Sequence, residues 1–159
     1  MEADMATTIE TYKPEYESDF VRLNKEWIEH YFSIEPADAG AFEQTKHYII
    51  DNGGQIFFAV EDGDVVGCVA LVFHPDTHRW ELAKMAVTSS QRGKGTGSKL
   101  GTALISYARK HRISRIYLEG NTNLKPSIAL YKKLGFKEIE LRGKHYERVN
   151  VAMEWSETN

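Results

Sequence analysis

The chain contains 159 residues with a net charge of −3 and 42% hydrophobic residues, which suits one domain with a buried core. Its longest apolar stretches, of about ten residues, are too short to span a bilayer, and the acidic N-terminal segment does not resemble a secretory signal. Cys68 is the only cysteine, which excludes an intramolecular disulfide and favours a cytoplasmic location.

The charges are unevenly distributed along the chain. Residues 1–62 contain 14 acidic and 4 basic side chains, whereas residues 63–159 contain 9 acidic and 16 basic ones. The second part could therefore hold a polyanion, although such charges most often solvate surface helices. No basic–aromatic interleaving indicates nucleic acid, and His74 and His78 flank a turn instead of forming a metal-binding pair on a helix.

The first half of the chain predicts one strand, two helices and three further strands. Phe20, Leu23, Trp27 and Tyr31 recur with helical spacing, which indicates an amphipathic helix. The pair Asp62–Gly63 is typical of a hairpin turn. The predicted elements are a strand at 7–13, a helix from 14 that is broken at 33–40, a second helix at 39–51, and strands at 55–60, 65–73 and 79–87.

The second half predicts a crossover between parallel strands. A glycine-rich segment links the strand at 79–87 to a helix at 97–111, and another strand follows at 114–120. A short helix up to Leu134 and an antiparallel hairpin close the chain. We therefore expect an α/β (α+β) fold in one domain, residues 1–159. Its mixed, mostly antiparallel twisted sheet should have about six or seven strands, flanked by about four helices.

The glycine-rich segment SSQRGKGTGSKLG, at residues 89–101, is typical of an anion site. A strand that ends in such a turn and opens a helix presents free backbone N–H groups at the positive end of the helix dipole. Neither the Walker pattern nor G-x-G-x-x-G fits the spacing of these glycines. This mismatch disfavours a nucleotide-binding phosphotransfer module.

The order Arg92-Gly93-Lys94-Gly95-Thr96-Gly97 does match [QR]-x-x-G-x-[GA]. It resembles the pyrophosphate loop of the GNAT superfamily, the acetyl-coenzyme A-dependent N-acetyltransferases. The segment ELAKMAV resembles the fourth strand of that family, and SIALYKKLGF, at 127–136, resembles its C-terminal Tyr-x-x-x-Gly-Phe segment. The resemblance covers roughly residues 55–142. It implies a GNAT-like fold in which strands 4 and 5 form a parallel, splayed pair.

The same resemblance implies how acetyl-CoA, the expected co-substrate, would bind. The backbone N–H groups between Gly93 and Gly97 would hold the pyrophosphate, with positive charge added by the flanking basic side chains. Met85, Ala86 and Val87 would pair with the pantetheine arm through their backbone. Family members often place a coenzyme-contacting asparagine just before the last helix.

Two residues compete for that asparagine role. Asn123 is the candidate, displaced by one residue from the usual spacing, and Asn121 is its rival. Either could instead cap the helix or belong to the preceding turn.

Acetylation of an amine needs a group that accepts the amine's proton and a hydrogen-bond donor that stabilises the tetrahedral oxyanion (the oxyanion donor). It also needs a proton or a hydrogen bond for the departing thiolate. The resemblance places Tyr131 beside the sulfur. Glu81, on the fourth strand, is the candidate base, and Glu119, at the end of the fifth strand, is its rival. The oxyanion donor would be a backbone N–H near Met85. Strict alternation would put Glu81 and Met85 on one face of the strand, unless a bulge intervenes.

These observations predict an N-acetyltransferase that moves an acetyl group directly to a primary amine in a ternary complex. Nine acidic side chains lie between residues 14 and 54, on the acceptor side in this family, which favours a cationic small amine, or a lysine or N-terminal amine. Trp27, Tyr31 and Phe32 are expected to shape that side. The alternative is a non-catalytic acyl-CoA-binding sensor.

We expect no metal, nucleic acid or membrane partner. A homodimer is possible through the segment 145–155, if its strand lies at the edge of the sheet.

Overall fold

The computed structural model describes residues 7–143 and 146–157, with the backbone alone at residues 40–41. Within these residues, seven strands form one mixed sheet in the order β1-β2-β3-β4-β5-β7-β6. The strands are β1 Thr8–Thr11, β2 Gln55–Glu61, β3 Asp64–His74, β4 Arg79–Val87, β5 Arg115–Gly120, β6 Lys137–Ile139 and β7 Val151–Ser156. β4 and β5 run parallel, which confirms the predicted mixed sheet.

Four α-helices and three short helical turns accompany the sheet in the described ranges. The helices are α1 Glu17–Tyr31, α2 Pro36–Glu43, α3 Thr96–Lys110 and α4 Lys125–Leu134, and the turns are Pro14–Tyr16, Lys46–Ile50 and Ser89–Gln91. None of the helices in these ranges is long and apolar enough to cross a membrane.

The sheet is buried on both faces between α1 and α3. Alternation along β2 sends Phe58 toward Phe20 of α1 and sends Phe57 toward Leu104 of α3. β2 and its neighbour β3 are therefore nearly continuous apolar runs, as expected for strands that are covered on two sides. Cys68 is buried, and its side chain lies in the cluster on the α1 face.

The region before β2 differs from its prediction. Instead of one helix at 39–51, α2 begins earlier and ends at Glu43, and a π-helical turn at Lys46–Ile50 follows. Pro36 suits the first turn of α2 because it has no N–H to lose. Asp38 accepts a hydrogen bond from the backbone N–H of Glu35 at 2.9 Å, which caps the start of the helix.

A β-bulge interrupts β4 next to the parallel pair. Ala70 pairs with Ala83, but Cys68 pairs with Ala86, so β4 uses one residue more than β3 over this stretch. Lys84, inside the bulge, has φ +58°. The left-handed region costs a non-glycine residue about 1–2 kcal/mol, and surrounding contacts must offset that strain.

The bulge changes which side chains share a face. Met85 and Val87 pack with the cluster on the α3 face, whereas Ala83 and Ala86 pack with the cluster on the α1 face. The grouping of Glu81 with Met85 and Val87, which strict alternation predicts, is therefore wrong.

β4 and β5 separate soon after they meet. Among the described residues, their register contains one pair, Glu81 with Tyr117. Beyond Glu81 the backbone of β4 leaves β5, so the sheet opens toward the C-terminal ends of both strands. This opening confirms the splayed parallel pair and creates the cleft that holds the candidate site.

The final hairpin also differs from its prediction. The strand predicted at 145–155 begins only at Val151, and His145 lies outside the described residues. β7 pairs with both β5 and β6. The edge position assumed for a dimer contact is therefore wrong, because β6 covers the outer side of β7, and homodimerisation stays a prediction that would need another surface.

Candidate active site

A cavity of about 500 Å³ lies where β4 and β5 separate. α1, the π-helical turn, the bulge in β4, the end of β5 and the start of α4 surround it. The charged or titratable side chains that line it include Glu81, Lys84, Glu119, Tyr131, Tyr146 and Arg148. The structure thus brings the candidate base, its rival and the candidate thiolate partner into one cleft.

Glu81 is paired with a histidine that the sequence analysis did not assign to the site. Its Oε1 accepts a hydrogen bond from Nε2 of His74 at 2.7 Å, and the side chains are only 16% and 18% exposed. The Tyr117 hydroxyl lies 3.5 Å from the same oxygen. The hydrogen bond to Glu81 raises the pKa of His74 above its ordinary value, while burial opposes that shift.

Glu119, the rival base, occupies a more peripheral place. It lines the cleft, and it also lines a second groove on the β5–β7 side of the sheet. Glu119 pairs across the strands with Ala152. The two candidate carboxylates therefore border the same space, and Glu81 is held there by the imidazole of His74.

Tyr131 is fixed by the way α4 ends. Gly135, with φ +105°, takes the left-handed cap position, and the N–H of Phe136 donates to the carbonyl of Tyr131 at 2.9 Å. The two aromatic rings pack edge to face at 6.1 Å. Burial raises the pKa of Tyr131 to about 12. Its phenol therefore stays protonated and can donate a hydrogen bond into the cleft.

The glycine loop has the geometry that an anion site needs. Gly93 and Gly95 have φ +81° and +83°, and no heavy atom lies within 4 Å of the position that a Cβ would take at either residue. The loop leads into α3, whose first four backbone N–H groups have no partner within the helix. Arg92 lies on the surface, with its guanidinium 5.6 Å from the ring centre of Tyr31.

The other end of the loop is anchored internally. Gln91 is buried, donates to Glu61 at 3.1 Å and accepts from the hydroxyl of Thr96 at 3.3 Å. Gly97 faces α4, and a Cβ there would come within 3.1 Å of Leu130. No local sequence pattern indicates the anchoring role of Gln91, because its partner Glu61 lies on a distant strand.

The candidate pantetheine strand lies in the bulge region. Met85 lines the cleft and Val87 is half-buried on the α3 face. Ala86 is buried, and it pairs with Cys68 on the β3 side.

The two asparagines before α4 are linked to each other. Asn121 lines the cleft, donates to the backbone carbonyl of Arg148 at 2.7 Å and accepts from the N–H of Asn123 at 2.8 Å. The side chain of Asn123 is exposed and lies outside the cleft lining. The structure therefore brings Asn121 to the cleft and leaves Asn123 at its outside.

A buried ion cluster lies beside the cleft and contributes Lys84, Tyr146 and Arg148 to its lining. Asp38 accepts two hydrogen bonds from the guanidinium of Arg148, at 2.8 and 3.0 Å, and one from Nζ of Lys84 at 3.0 Å. Lys84 also contacts the hydroxyl of Tyr146 at 3.0 Å, and Arg148 lies 3.3 Å from Glu35. No sequence pattern pointed to this cluster.

Burial and pairing act in opposite directions on the cluster. Burial alone would raise the pKa of Asp38, but the hydrogen bonds from Arg148, from a backbone N–H and from Lys84 outweigh it and lower the pKa to about 2. Burial lowers the pKa of Lys84 below its ordinary value, in spite of the nearby carboxylate.

The acidic side chains between residues 14 and 54 do not form a wall of the cleft. In the part of the chain that the structure describes, none of these nine side chains lines it. Trp27 and Phe32 line it as expected, whereas Tyr31 does not. The interpretation of this span as an acidic acceptor wall is therefore wrong, because its carboxylates face solvent or pair with basic side chains such as Arg148.

The sheet order, the separated parallel pair and the glycine loop before α3 define an acyltransferase fold. The chain belongs to the acetyltransferase (GNAT) family, whose model matches residues 13–136. Family membership confirms the predicted enzyme class, with acetyl-CoA as co-substrate.

Known relatives agree with this assignment. N-acetylaspartate synthetase of Rattus norvegicus is 37% identical over 95 residues, which are 59% of this chain and 31% of that protein. An uncharacterised N-acetyltransferase of Escherichia coli is 35% identical over 97 residues, 59% of this chain and 58% of that one. The aligned region thus spans about a third of the length of the synthetase it matches.

Solved structures share the whole fold. A GNAT acetyltransferase of Staphylococcus aureus superposes with a TM-score of 0.84 at 22% identity, over 96% of this chain and 99% of that one. An acetyltransferase of Salmonella typhimurium, solved with acetyl-CoA, has a TM-score of 0.72 at 18% identity, over 96% and 94% of the two chains.

Proposed function

We propose that this chain, as one domain over residues 1–159, moves an acetyl group from acetyl-CoA directly to a primary amine in a ternary complex. One observation carries the proposal: Glu81 and Tyr131 line the same cleft, at the point where β4 leaves β5. The similarity to proteins named N-acetyltransferases supports an amine as the acceptor. A cytoplasmic location, expected from the cysteine content, belongs to the same proposal.

The glycine loop fits the pyrophosphate of the coenzyme. Left-handed glycines at 93 and 95 leave open space beside the backbone, and the N-terminal amides of α3 favour negative charge. Arg92 and Lys94 are exposed at the loop and add mobile positive charge. Thr96, held by Gln91, and Gly97, packed near Leu130, fix where the helix starts.

The backbone of β4 fits the pantetheine arm. Beyond Glu81 this strand has no register with β5 among the described residues, so backbone groups of Met85, Ala86 and Val87 on that side can pair with a ligand as if it were a strand. The oxyanion donor would be an N–H of the same stretch, near Met85 or Ala86. Asn121 is better placed than Asn123 to reach the coenzyme.

Acetyl-CoA supplies the activated acyl group, and the chain supplies proton handling. Glu81, together with the His74 imidazole bonded to it, forms the basic group of the cleft. Tyr131 donates a hydrogen bond to the sulfur. With a pKa of about 12 for this phenol and an ordinary thiol pKa of about 8.5, full proton transfer to the thiolate would cost about 5 kcal/mol. Tyr131 therefore stabilises the leaving thiolate without ionising.

The carboxylates of the cleft itself support a cationic acceptor. Glu81 and Glu119 line the cleft, and they can attract an ammonium group. Lys84 and Arg148 also line the cleft, but both are paired with Asp38. A small cationic amine and a lysine or N-terminal amine of a peptide both fit this arrangement.

A thiol-release assay over a panel of amines tests the proposal. The panel should contain cationic, neutral and anionic primary amines, each with acetyl-CoA, and calorimetry with acetyl-CoA should accompany it. We expect binding of acetyl-CoA and release of free thiol with cationic amines. Binding without release for any amine would identify an acyl-CoA sensor, and transfer to neutral or anionic amines alone would contradict the cationic preference.

A further inference from the structure

We propose that His74 is the catalytic base of this cleft and that Glu81 is the carboxylate that orients it. The inference rests on the proposed function, because it concerns the amine that loses a proton. In this scheme, the proton of the acceptor ammonium goes to a ring nitrogen of His74 and not to an oxygen of Glu81.

The β3–β4 hairpin places the two side chains together. Glu81 lies opposite Val72, and His74 lies opposite Arg79. His74 and Glu81 are therefore diagonal neighbours on one face of the sheet, where side chains can meet. Both line the cleft, and the Nε2–Oε1 distance is 2.7 Å.

This hydrogen bond decides which nitrogen can accept a proton. An ionised carboxylate only accepts hydrogen bonds, so Nε2 of His74 carries the hydrogen that Glu81 accepts. In the neutral imidazole, Nδ1 then holds the basic lone pair. The N–H bond of the acceptor ammonium breaks, its proton bonds to Nδ1 directly or through one water, and the amine nitrogen keeps the electron pair.

An imidazole suits this proton transfer better than a carboxylate. An alkylammonium group has a pKa of about 10 and a carboxyl group one of about 4.3, so transfer to a lone carboxylate is disfavoured about a millionfold. The ordinary pKa of histidine, 6.5, is already closer, and the hydrogen bond to Glu81 raises it further. An ordinary imidazole therefore reduces the difference in pKa from the ammonium group by about two units, and the hydrogen bond to Glu81 reduces it further.

The surroundings of His74 favour its protonated form. The charged and titratable groups that face the pair come from the hairpin turn, from β4, from β5 and from the π-helical turn. They are Asp76, Arg79, Glu81, Lys84, Tyr117, Glu119 and Tyr48. Arg79 stacks on Tyr117 at 3.9 Å and Lys84 pairs with Asp38, so each of these cations has a partner other than His74. The carboxylates of Glu81, Asp76 and Glu119 favour the protonated imidazole.

The test compares pH–rate profiles of the full chain at saturating acetyl-CoA and amine. His74→Gln should lower kcat by about a hundred-fold or more near neutral pH. It should also remove the acidic limb that reports the imidazole. Glu81→Gln should keep that limb but move it to lower pH, because burial then acts on His74 without the carboxylate. His30 is an exposed histidine at the end of α1, so His30→Gln is the matched control and should leave the profile unchanged.

A titration of the imidazole by NMR provides a readout that does not need activity. We expect the pKa of His74 to lie above 6.5 in the unmodified chain and to be lower in Glu81→Gln, where the carboxylate no longer favours the protonated imidazole. An active His74→Gln variant that keeps the original acidic limb would overturn the inference and leave the proposed function intact. A chain that binds acetyl-CoA but acetylates no amine would overturn both.

Discussion

Asp38 and Lys84 lie 46 residues apart in the chain and meet in a buried ion pair of 3.0 Å. The pair ties α2 to the bulge of β4, where Lys84 has a left-handed backbone. Arg148 joins the same carboxylate from the segment before β7. One buried carboxylate therefore holds three parts of the chain at the wall of the cleft.

Replacing Asp38 should destabilise the fold. Asp38→Asn leaves Lys84 and Arg148 buried without their shared charge, and removal of one partner from a buried pair costs about 3–5 kcal/mol. We expect the lower end of that range, because Arg148 keeps Glu35 at 3.3 Å. Urea unfolding measures the free energy.

A surface pair provides the matched control for that measurement. Arg109 and Glu157 are also 3.0 Å apart, but their side chains are 55% and 41% exposed. Glu157→Gln should change the free energy of unfolding by less than about 1 kcal/mol. Equal effects of the two substitutions would show that burial of the Asp38 pair has no energetic consequence.

The same carboxylate predicts how stability depends on acid. The pKa of Asp38 is about 2 in the folded chain and 3.8 for the ordinary group. Since the folded pKa is the lower one, this carboxylate stabilises the fold above about pH 4, by about 2 kcal/mol, and the contribution is lost as the pH falls toward 2. Unfolding free energies measured across that interval should fall more steeply for the unmodified chain than for Asp38→Asn. Parallel slopes would contradict the assignment.

Local signals in the sequence predicted the elements that local chemistry determines. The Asp62–Gly63 turn, the two left-handed glycines of the loop and the cap at Gly135 all need backbone conformations that few residues adopt. These positions fixed the hairpin, the start of α3 and the end of α4. The pairing of His74 with Glu81 could also be predicted from the sequence, because a short hairpin turn sets which residues lie diagonal to each other.

Other features depend on residues far apart in the chain. The bulge at Lys84 has no glycine to signal it, and the partner of the Lys84 ammonium, Asp38, lies 46 residues earlier in the chain. Arg148 reaches the same carboxylate across 110 residues. Hydrophobic periodicity indicates which face of an element is buried, but it does not indicate which buried charges form contacts. The cluster around Asp38 and the interruption of the second helix were therefore not predicted.

Tyr131→Phe should separate catalysis from coenzyme binding. The substitution removes the hydroxyl and keeps the ring that packs against Phe136. We expect turnover to fall about ten-fold or more, because the thiolate loses its hydrogen bond, while the affinity for acetyl-CoA stays close to that of the unmodified chain. Thiol release and calorimetry measure the two quantities. Tyr107→Phe, on α3 outside the cleft, is the control, and unchanged turnover in Tyr131→Phe would remove this hydroxyl from the mechanism.

A pair of glycine substitutions tests the anion site. Gly95 and Gly63 have φ +83° and +82°, and neither has a heavy atom within 4 Å of a Cβ position. Alanine at either residue should therefore cost a similar free energy of folding, about 1 kcal/mol. Only Gly95 lies where the pyrophosphate is proposed to bind, since Gly63 belongs to the β2–β3 turn.

Gly95→Ala should weaken acetyl-CoA binding by about ten-fold or more, because its methyl group enters the space proposed for phosphate oxygens and the strained backbone turns the first amides of α3 away. Gly63→Ala should bind the coenzyme like the unmodified chain. Calorimetric titration of both variants with acetyl-CoA, after their folding is checked by thermal unfolding, measures the difference. Equal affinities would place the pyrophosphate elsewhere on the protein, and with it the path of the thioester into the cleft beside Tyr131.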